Sequence, residues 1–314
     1  MTSPLESILF VPSVCETEWV PALFPDRSPA ELPIAGRRII DYGIEHALRF
    51  GVVLTGVLDW HYTERLAKEY VRSEEKGYAV FYDKFPGDAP PHGLDDLAGI
   101  SSPLTQNLSD GLVVVWGLCL SHNEPEDVCL EPVTPEDCRK TPLGVYRRVG
   151  GQWMRVKPQG IRINGLKAWH ETNFMVLHDP GQFTLPGYSA EKDVHLGRNV
   201  VIEHGSTVKA PVLLCDNTWF ARNVILDGDV IVASGSFVGE GTRLKRTIVG
   251  LDTYIGTGLD FEDKIVIGNR VIDPATGVWM DMEEPGLARR IGGGFSWLRK
   301  LWHFLRGKSY GRAG

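Results

Sequence analysis

Long apolar runs are missing from this sequence. None reaches the roughly 18 residues that a membrane-spanning helix needs, and Met1 to Phe10 holds neither a basic segment nor an extended apolar stretch. The N-terminus therefore predicts no signal peptide. Cysteine is sparse: Cys15, Cys119, Cys129, Cys138 and Cys215 are scattered, odd in number and never in CxxC spacing. That pattern argues against a disulfide framework or a zinc site and predicts a reducing, cytoplasmic setting. Glycine is absent before Gly36, and acidic residues are absent after Glu284. Beyond Glu284 come Arg289, Arg290, Arg299, Lys300, Arg306, Lys308 and Arg312, so a chain of net charge −7 is a basic tail on a much more acidic body. An anionic partner for the tail is the expectation.

What the sequence does have is a six-residue count over 194–272. Leu196, Ile202, Val208, Leu214, Phe220, Leu226, Val232, Val238 and Leu244 fall every sixth place, and after one five-residue step Val249, Ile255, Phe261 and Ile267 resume it. Two places earlier stand small or β-branched residues, among them Val200, Ser206, Val212, Thr218, Ser236 and Thr242. Positions two apart in a strand share a face, so both sets point inward. Three places after the apolar residues come Asn199, Gly205, Pro211, Asn217, Asn223, Asp229, Gly235 and Gly241, residues suited to corners and to positive φ. Short strand, corner, short strand is the hexapeptide signature of a parallel β-helix. One buried Val or Leu contributes about 1.5–3 kcal/mol against about 1–2 kcal/mol per residue of backbone ordering, so only a stack of coils is stable. The five-residue step predicts a tightened corner between Leu244 and Val249.

Upstream, strands and helices alternate, which indicates an α/β sheet. Strands are expected at Ile8–Val11, Val52–Leu58, Tyr78–Tyr82 and Leu112–Leu120, with a hairpin over 141–157 turning at Gly150-Gly151. A helix is expected to open within Ile34–Tyr42 and end near Gly51, with Ile39, Ile40, Ile44, Ala47 and Leu48 as its stripe. Further helices are expected at Thr63–Val71 and Leu166–Leu177, and residues 83–110 read as a long loop with room for one helical turn. The domain boundaries predicted are 1–185 for the α/β domain, 186–280 for the β-helix and 281–314 for a basic tail helix.

An α/β domain followed by hexapeptide coils resembles the sugar-nucleotide pyrophosphorylases, nucleotidyltransferases with a C-terminal left-handed β-helix. Leu32-Pro33-Ile34-Ala35-Gly36-Arg37 resembles that family's LPVAGKP, and Leu112-Val113-Val114-Val115-Trp116-Gly117 resembles its strand leading to Gly-Asp. Val156-Lys157-Pro158 is similar to its EKP, and Glu171-Thr172-Asn173 with Leu177 to its EAN…L helix. The resemblance implies a Rossmann-like nucleotidyltransferase-type sheet, then a left-handed β-helix, over about residues 5–272. It also shows what is missing. The family cradles phosphates on a glycine-rich first loop, where backbone N–H groups approach the anion. Here that loop reads Pro12-Ser13-Val14-Cys15-Glu16-Thr17-Glu18. The family's lysine before LP falls at Pro29, its metal-binding Asp at Leu118, and its second Asp near Arg162–Asn164, where there is no acid. In-line attack on a triphosphate needs Mg²⁺, and Mg²⁺ needs carboxylates.

The expectation is therefore a catalytically silent, nucleotidyltransferase-like scaffold, regulator or sugar-nucleotide-binding component in sugar-nucleotide or surface-polysaccharide metabolism, without a cofactor. Ser13, Arg37 and Lys157 are its candidate ligand contacts, with solvated surface charge as the competing reading of the latter two. Two alternatives stand beside it. One is an active sugar-1-phosphate nucleotidyltransferase using substituted residues and Mg²⁺. The other is a hexapeptide-repeat acyltransferase, since an outward histidine can act as general base. His204 at a corner is its candidate, ahead of His195 on a strand.

Phe295–Arg306 follows Gly292-Gly293-Gly294 and has helical spacing. Phe295, Leu298, Leu301, Trp302 and Leu305 form one side, and Ser296, Arg299, Lys300, His303 and Arg306 the other, with Trp297 adding a second indole. Such a helix fits an anionic membrane surface or docks on protein, either its own β-helix or a partner. Seven basic residues without base-stacking loops predict no nucleic-acid partner. A homo-oligomer is expected, in the cytoplasm and, if the tail meets lipid, at the inner face of the membrane.

Overall fold

The computed structural model describes residues 7–49, 52, 54–71, 79–100, 111–120, 129–157 and 160–291. The chain divides into two compact units. The first runs to Pro186 and includes Pro274–Gly277, and the second starts at Gly187. Among the described residues no helix is long and apolar enough to cross a membrane.

The first unit is built on a mixed sheet. Its strands are β1 (Ser7–Val11), β2 (Leu54–Asp59), β3 (Ala79–Lys84), β4 (Val113–Trp116), β5 (Cys119–Leu120), β6 (Cys129–Pro132), β7 (Gly144–Val149) and β8 (Gln152–Lys157). Seven of them form one sheet in the order β3-β2-β1-β4-β7-β8-β6, and β5 pairs instead with Ile161–Arg162. β1 lies parallel to both β2 and β4, and β2 to β3; the β7–β8 hairpin joins β4 antiparallel. A strand buried on both faces reads as a continuous apolar run. Ile8 to Val11 and Val113 to Trp116, which take in both faces of β1 and β4, are all at most 8% exposed, as that rule requires.

Among the described residues three helices have eight residues or more: α1 (Ile39–Arg49), α2 (Glu64–Val71) and α3 (Leu166–His178). Helix α1 starts later than its sequence suggests. Pro33–Ile34 and Arg37–Arg38 pair as a tiny hairpin whose turn, Ala35 and Gly36, has positive φ at both residues, so helix cannot begin before Ile39. Of the expected stripe, Ile39, Ile40, Ile44 and Ala47 are buried, but Leu48 is 38% exposed and Tyr42 takes a buried place instead. The single strand expected over Leu112–Leu120 is also two. Gly117, at φ 73°, breaks it and donates its N–H to Val11 O at 2.8 Å.

The second unit repeats short parallel strands on three faces in rotation, consistent with a β-helix. One face runs Val194–Leu196, Val212–Leu214, Val230–Val232, Thr247–Val249 and Ile265–Ile267, and the other two follow suit. From Leu214 to Ile255 every sixth-place apolar residue is at most 1% exposed. Ile202 stands 39% exposed because its coil is the first and has none before it. All the expected corner residues except Pro211 have positive φ. The short step falls at Arg246, a single corner residue with φ 44°. One inner position differs. A second short step after Phe261 makes Val266, not Ile267, the partner of Val249, and Val266 is the fully buried one.

The small residues of the inner rows do more than leave room. Ser236 Oγ donates to Gly250 O at 2.8 Å and accepts from Thr253 N–H at 3.2 Å, and Thr242 does the same with Gly256 O and Leu259 N–H. Buried backbone groups at the corners thus find partners on the neighbouring coil, where an unmatched group would be costly.

Candidate functional site

In an open α/β sheet a ligand crevice forms outside the carboxyl ends of the strands, where strand order reverses. Here that point lies between β1 and β4, because the chain fills β2 and β3 on one side of β1 and then crosses to the other. Ser13, two residues past β1, is buried and donates its hydroxyl to Asp59 at the end of β2. Asp59 is wholly buried and receives three more donors: the Ser28 hydroxyl, Tyr82 Oη at 2.7 Å and His61 N–H at 3.0 Å. A buried carboxylate with four donors over its two oxygens is satisfied. It binds the loop after β1, the turn before Pro29 and strand β3 to the tip of β2. Burial, and then the nearby Asp59 charge, push the Tyr82 phenol up, which keeps it a donor. Asp59 was not visible as a site residue in the sequence, where it is one more acid in Leu58-Asp59-Trp60.

The rest of the crevice is apolar. Val14 and Trp116 are fully buried, Leu118 and Leu143 nearly so. A Cβ on Gly117 would strike Leu143 Cδ2 and come within 3.2 Å of Val14 Cγ2. Side chains of this chain fill the space at the end of β4.

The three candidate ligand residues have separate partners. Ser13 is taken by Asp59. Arg37 pairs with Glu45 at 2.7 Å, donates to Thr184 O at 2.9 Å and lies over the Tyr42 ring at 4.8 Å. Thr184, Arg37 and Arg49 all bond to Glu45 and hold its carboxyl below its ordinary range, outweighing the opposing effect of burial. Lys157, at the end of β8, pairs with Glu131 on β6 at 2.7 Å.

The fold also joins two residues that the sequence does not connect. Cys15 Sγ lies 3.3 Å from His92 Nδ1 across 77 positions. A thiol beside an imidazole is the geometry of an activated nucleophile. The charges here oppose it: burial, then Glu16, Glu18 and Asp96, push the Cys15 thiol up, away from the thiolate. Among the described residues no group of three or more His, Cys, Asp or Glu side chains could hold a metal ion.

No protein-family model matches the chain, and no curated protein matches it.

The coils offer their outer faces. His204 is exposed at its corner, and His195 is half-buried on its strand. One face is a ladder of alternating charge: Lys209 to Asp227 at 2.7 Å, Asp227 to Arg243 at 2.6 Å, Arg243 to Asp260 at 3.1 Å, Lys245 to Glu262 at 2.6 Å. Hydrogen bonds from Lys209 and Arg243 hold Asp227 down to about 2. Another face aligns Val201, Trp219, Phe237 and Tyr254, with Arg289 across from Tyr254 at 4.9 Å from its ring. The proposed tail contacts Trp297, Leu298, Arg299, Lys300, Leu301, Trp302 and Leu305 lie outside the described residues.

Proposed function

We propose that this chain is a nucleotidyltransferase-like protein, of the sugar-nucleotide pyrophosphorylase type with a left-handed β-helix, that performs no nucleotidyl transfer and serves as a scaffold in sugar-nucleotide or surface-polysaccharide metabolism. The observation that carries this reading is the filling at the ends of β1 and β4. Val14, Leu143 and Trp116 occupy the space, and both loop hydroxyls are engaged within the protein, Ser13 with Asp59 and Thr17 with the carbonyls of Pro12 and Val14. To admit a triphosphate the loop would have to expel apolar side chains from a packed interior. Losing the burial of one Leu or Val costs about 2–5 kcal/mol with its cavity, and Glu16 and Glu18 would still face the anion. The motif order in the first unit and the coils in the second supply the metabolic setting by resemblance.

The test is direct. The purified chain, given each nucleoside triphosphate with hexose-1-phosphates and Mg²⁺, is expected to release no pyrophosphate above the buffer rate. Turnover abolished by Asp59→Asn or Lys157→Ala would overturn the proposal.

A further inference from the structure

The last strands of the second unit leave apolar side chains in water. Strand Trp279–Asp281 is the terminal strand of its sheet and pairs antiparallel with Arg270–Ile272, setting Met280 opposite Val271. Opposed residues share a face, and Val271 belongs to the buried core of the coils. Met282, two residues on, packs against the same core. The row Val278–Met280–Met282 therefore prolongs the interior past its last covered strand. Val278 is 66% and Met280 61% exposed. Trp279 on the opposite side is 57% exposed, beneath the Arg270 guanidinium at 5.3 Å. Solenoids need their terminal coil covered, and clustered large apolar residues in water mark an interaction surface.

We propose that residues 295–306 of the same chain dock on this row and cap the end of the coils. Three observations choose that occupant. The first is position: Gly268 sits so close to Arg290 that a Cβ there would lie 3.2 Å from Arg290 Cβ, and the next residue, Asn269, accepts Met282 N–H at 2.7 Å. Arg290, just before the glycines, and the apolar row thus flank one turn. Gly292-Gly293-Gly294 spans up to about 10 Å. The second is fit: wound as a helix, twelve residues would extend about 18 Å, against about 13 Å for the strand from 278 to 282. Leu298, Leu301, Trp302 and Leu305 recur at the spacing that lines one helix face. The third is charge. Glu283 and Glu284, exposed beside the row, complement Arg299, Lys300 and Arg306.

The test uses the full chain with photoreactive benzoylphenylalanine in place of Met280, and separately of Val278, both exposed sites. After irradiation, peptide mapping is expected to find cross-links within one chain to residues 295–306. Yield should fall severalfold in the Glu283→Lys, Glu284→Lys double variant. Cross-links joining two chains would assign the row to a second copy. Cross-links appearing only with phosphatidylcholine–phosphatidylglycerol vesicles would assign it to lipid. Either result, or no cross-link to 295–306 from both positions, overturns the proposal.

Discussion

Replacing Asp59 isolates the polar knot at the tip of β2. In Asp59→Ala the Ser13 and Ser28 hydroxyls, Tyr82 Oη and His61 N–H lose their shared acceptor together. A buried donor left without a partner costs about 1–3 kcal/mol, and a bond to a charged group is worth about 1.5–3 kcal/mol. The serine hydroxyls can turn to other acceptors, so the four losses do not add fully. A total of about 3–5 kcal/mol is expected, a large part of the 5–15 kcal/mol typical of a folded domain. Asp59→Asn keeps the shape and one carbonyl oxygen. Its amide can donate to hydroxyls that also accept, and the expected cost falls to about 1–3 kcal/mol. Amide hydrogen exchange of β1 and β2 reads the first unit alone, which melting of a two-unit chain does not. Ser13→Ala should cost less than Asp59→Ala, and in the Asp59→Ala background it should cost almost nothing, because the two share one bond. An Asp59→Ala effect under about 0.5 kcal/mol, or Asn worse than Ala, would refute the account of Asp59 as the acceptor that holds these segments.

Gly117→Ala should destabilise the first unit by about 2–4 kcal/mol, from overpacking plus a left-handed backbone. The same exchange experiment measures it, and a neutral substitution would show that Leu143 does not fill the end of β4. The outer charge ladder predicts acid sensitivity of the coils. The folded-state value of Asp227, about 2, lies below the ordinary carboxylate value of about 4. Its bonds therefore add stability above pH 4, and that gain is lost as pH falls toward 2. Asp227→Asn should flatten this part of the melting-temperature profile, and high salt should mimic it. An unchanged acid limb would rule the ladder out as its source.

The coils were legible because their physics is local. Each hexad repeats the same inner and corner places, and each inner residue stacks on one about eighteen places away, so apolar, small and corner rows can be counted in one dimension. The count overshot only at Ile267, where a second shortened corner after Phe261 moved the inner place to Val266. Most strands and the three long helices of the first unit were also visible, since periodicity reports burial; the edge strand Cys129–Pro132, with no buried residue, gave no such signal. Their breaks were missed where a backbone demand intervened: positive φ at Ala35 and Gly36 delays α1, and Gly117 divides the strand after Leu112.

The six-residue core, the alternating α/β order, the basic tail and the absence of glycine from the first loop belong to the sequence itself. Tertiary structure decided what occupies the crevice. Asp59 meets Ser28 across 31 positions and Ser13 across 46, and Cys15 meets His92 across 77. No period links such residues. They converge because the sheet order sets β1 between β2 and β4, bringing strand ends that are distant in the chain to one edge. Whether a hydroxyl or a carboxylate there faces a ligand or another side chain is settled only when those ends are packed together.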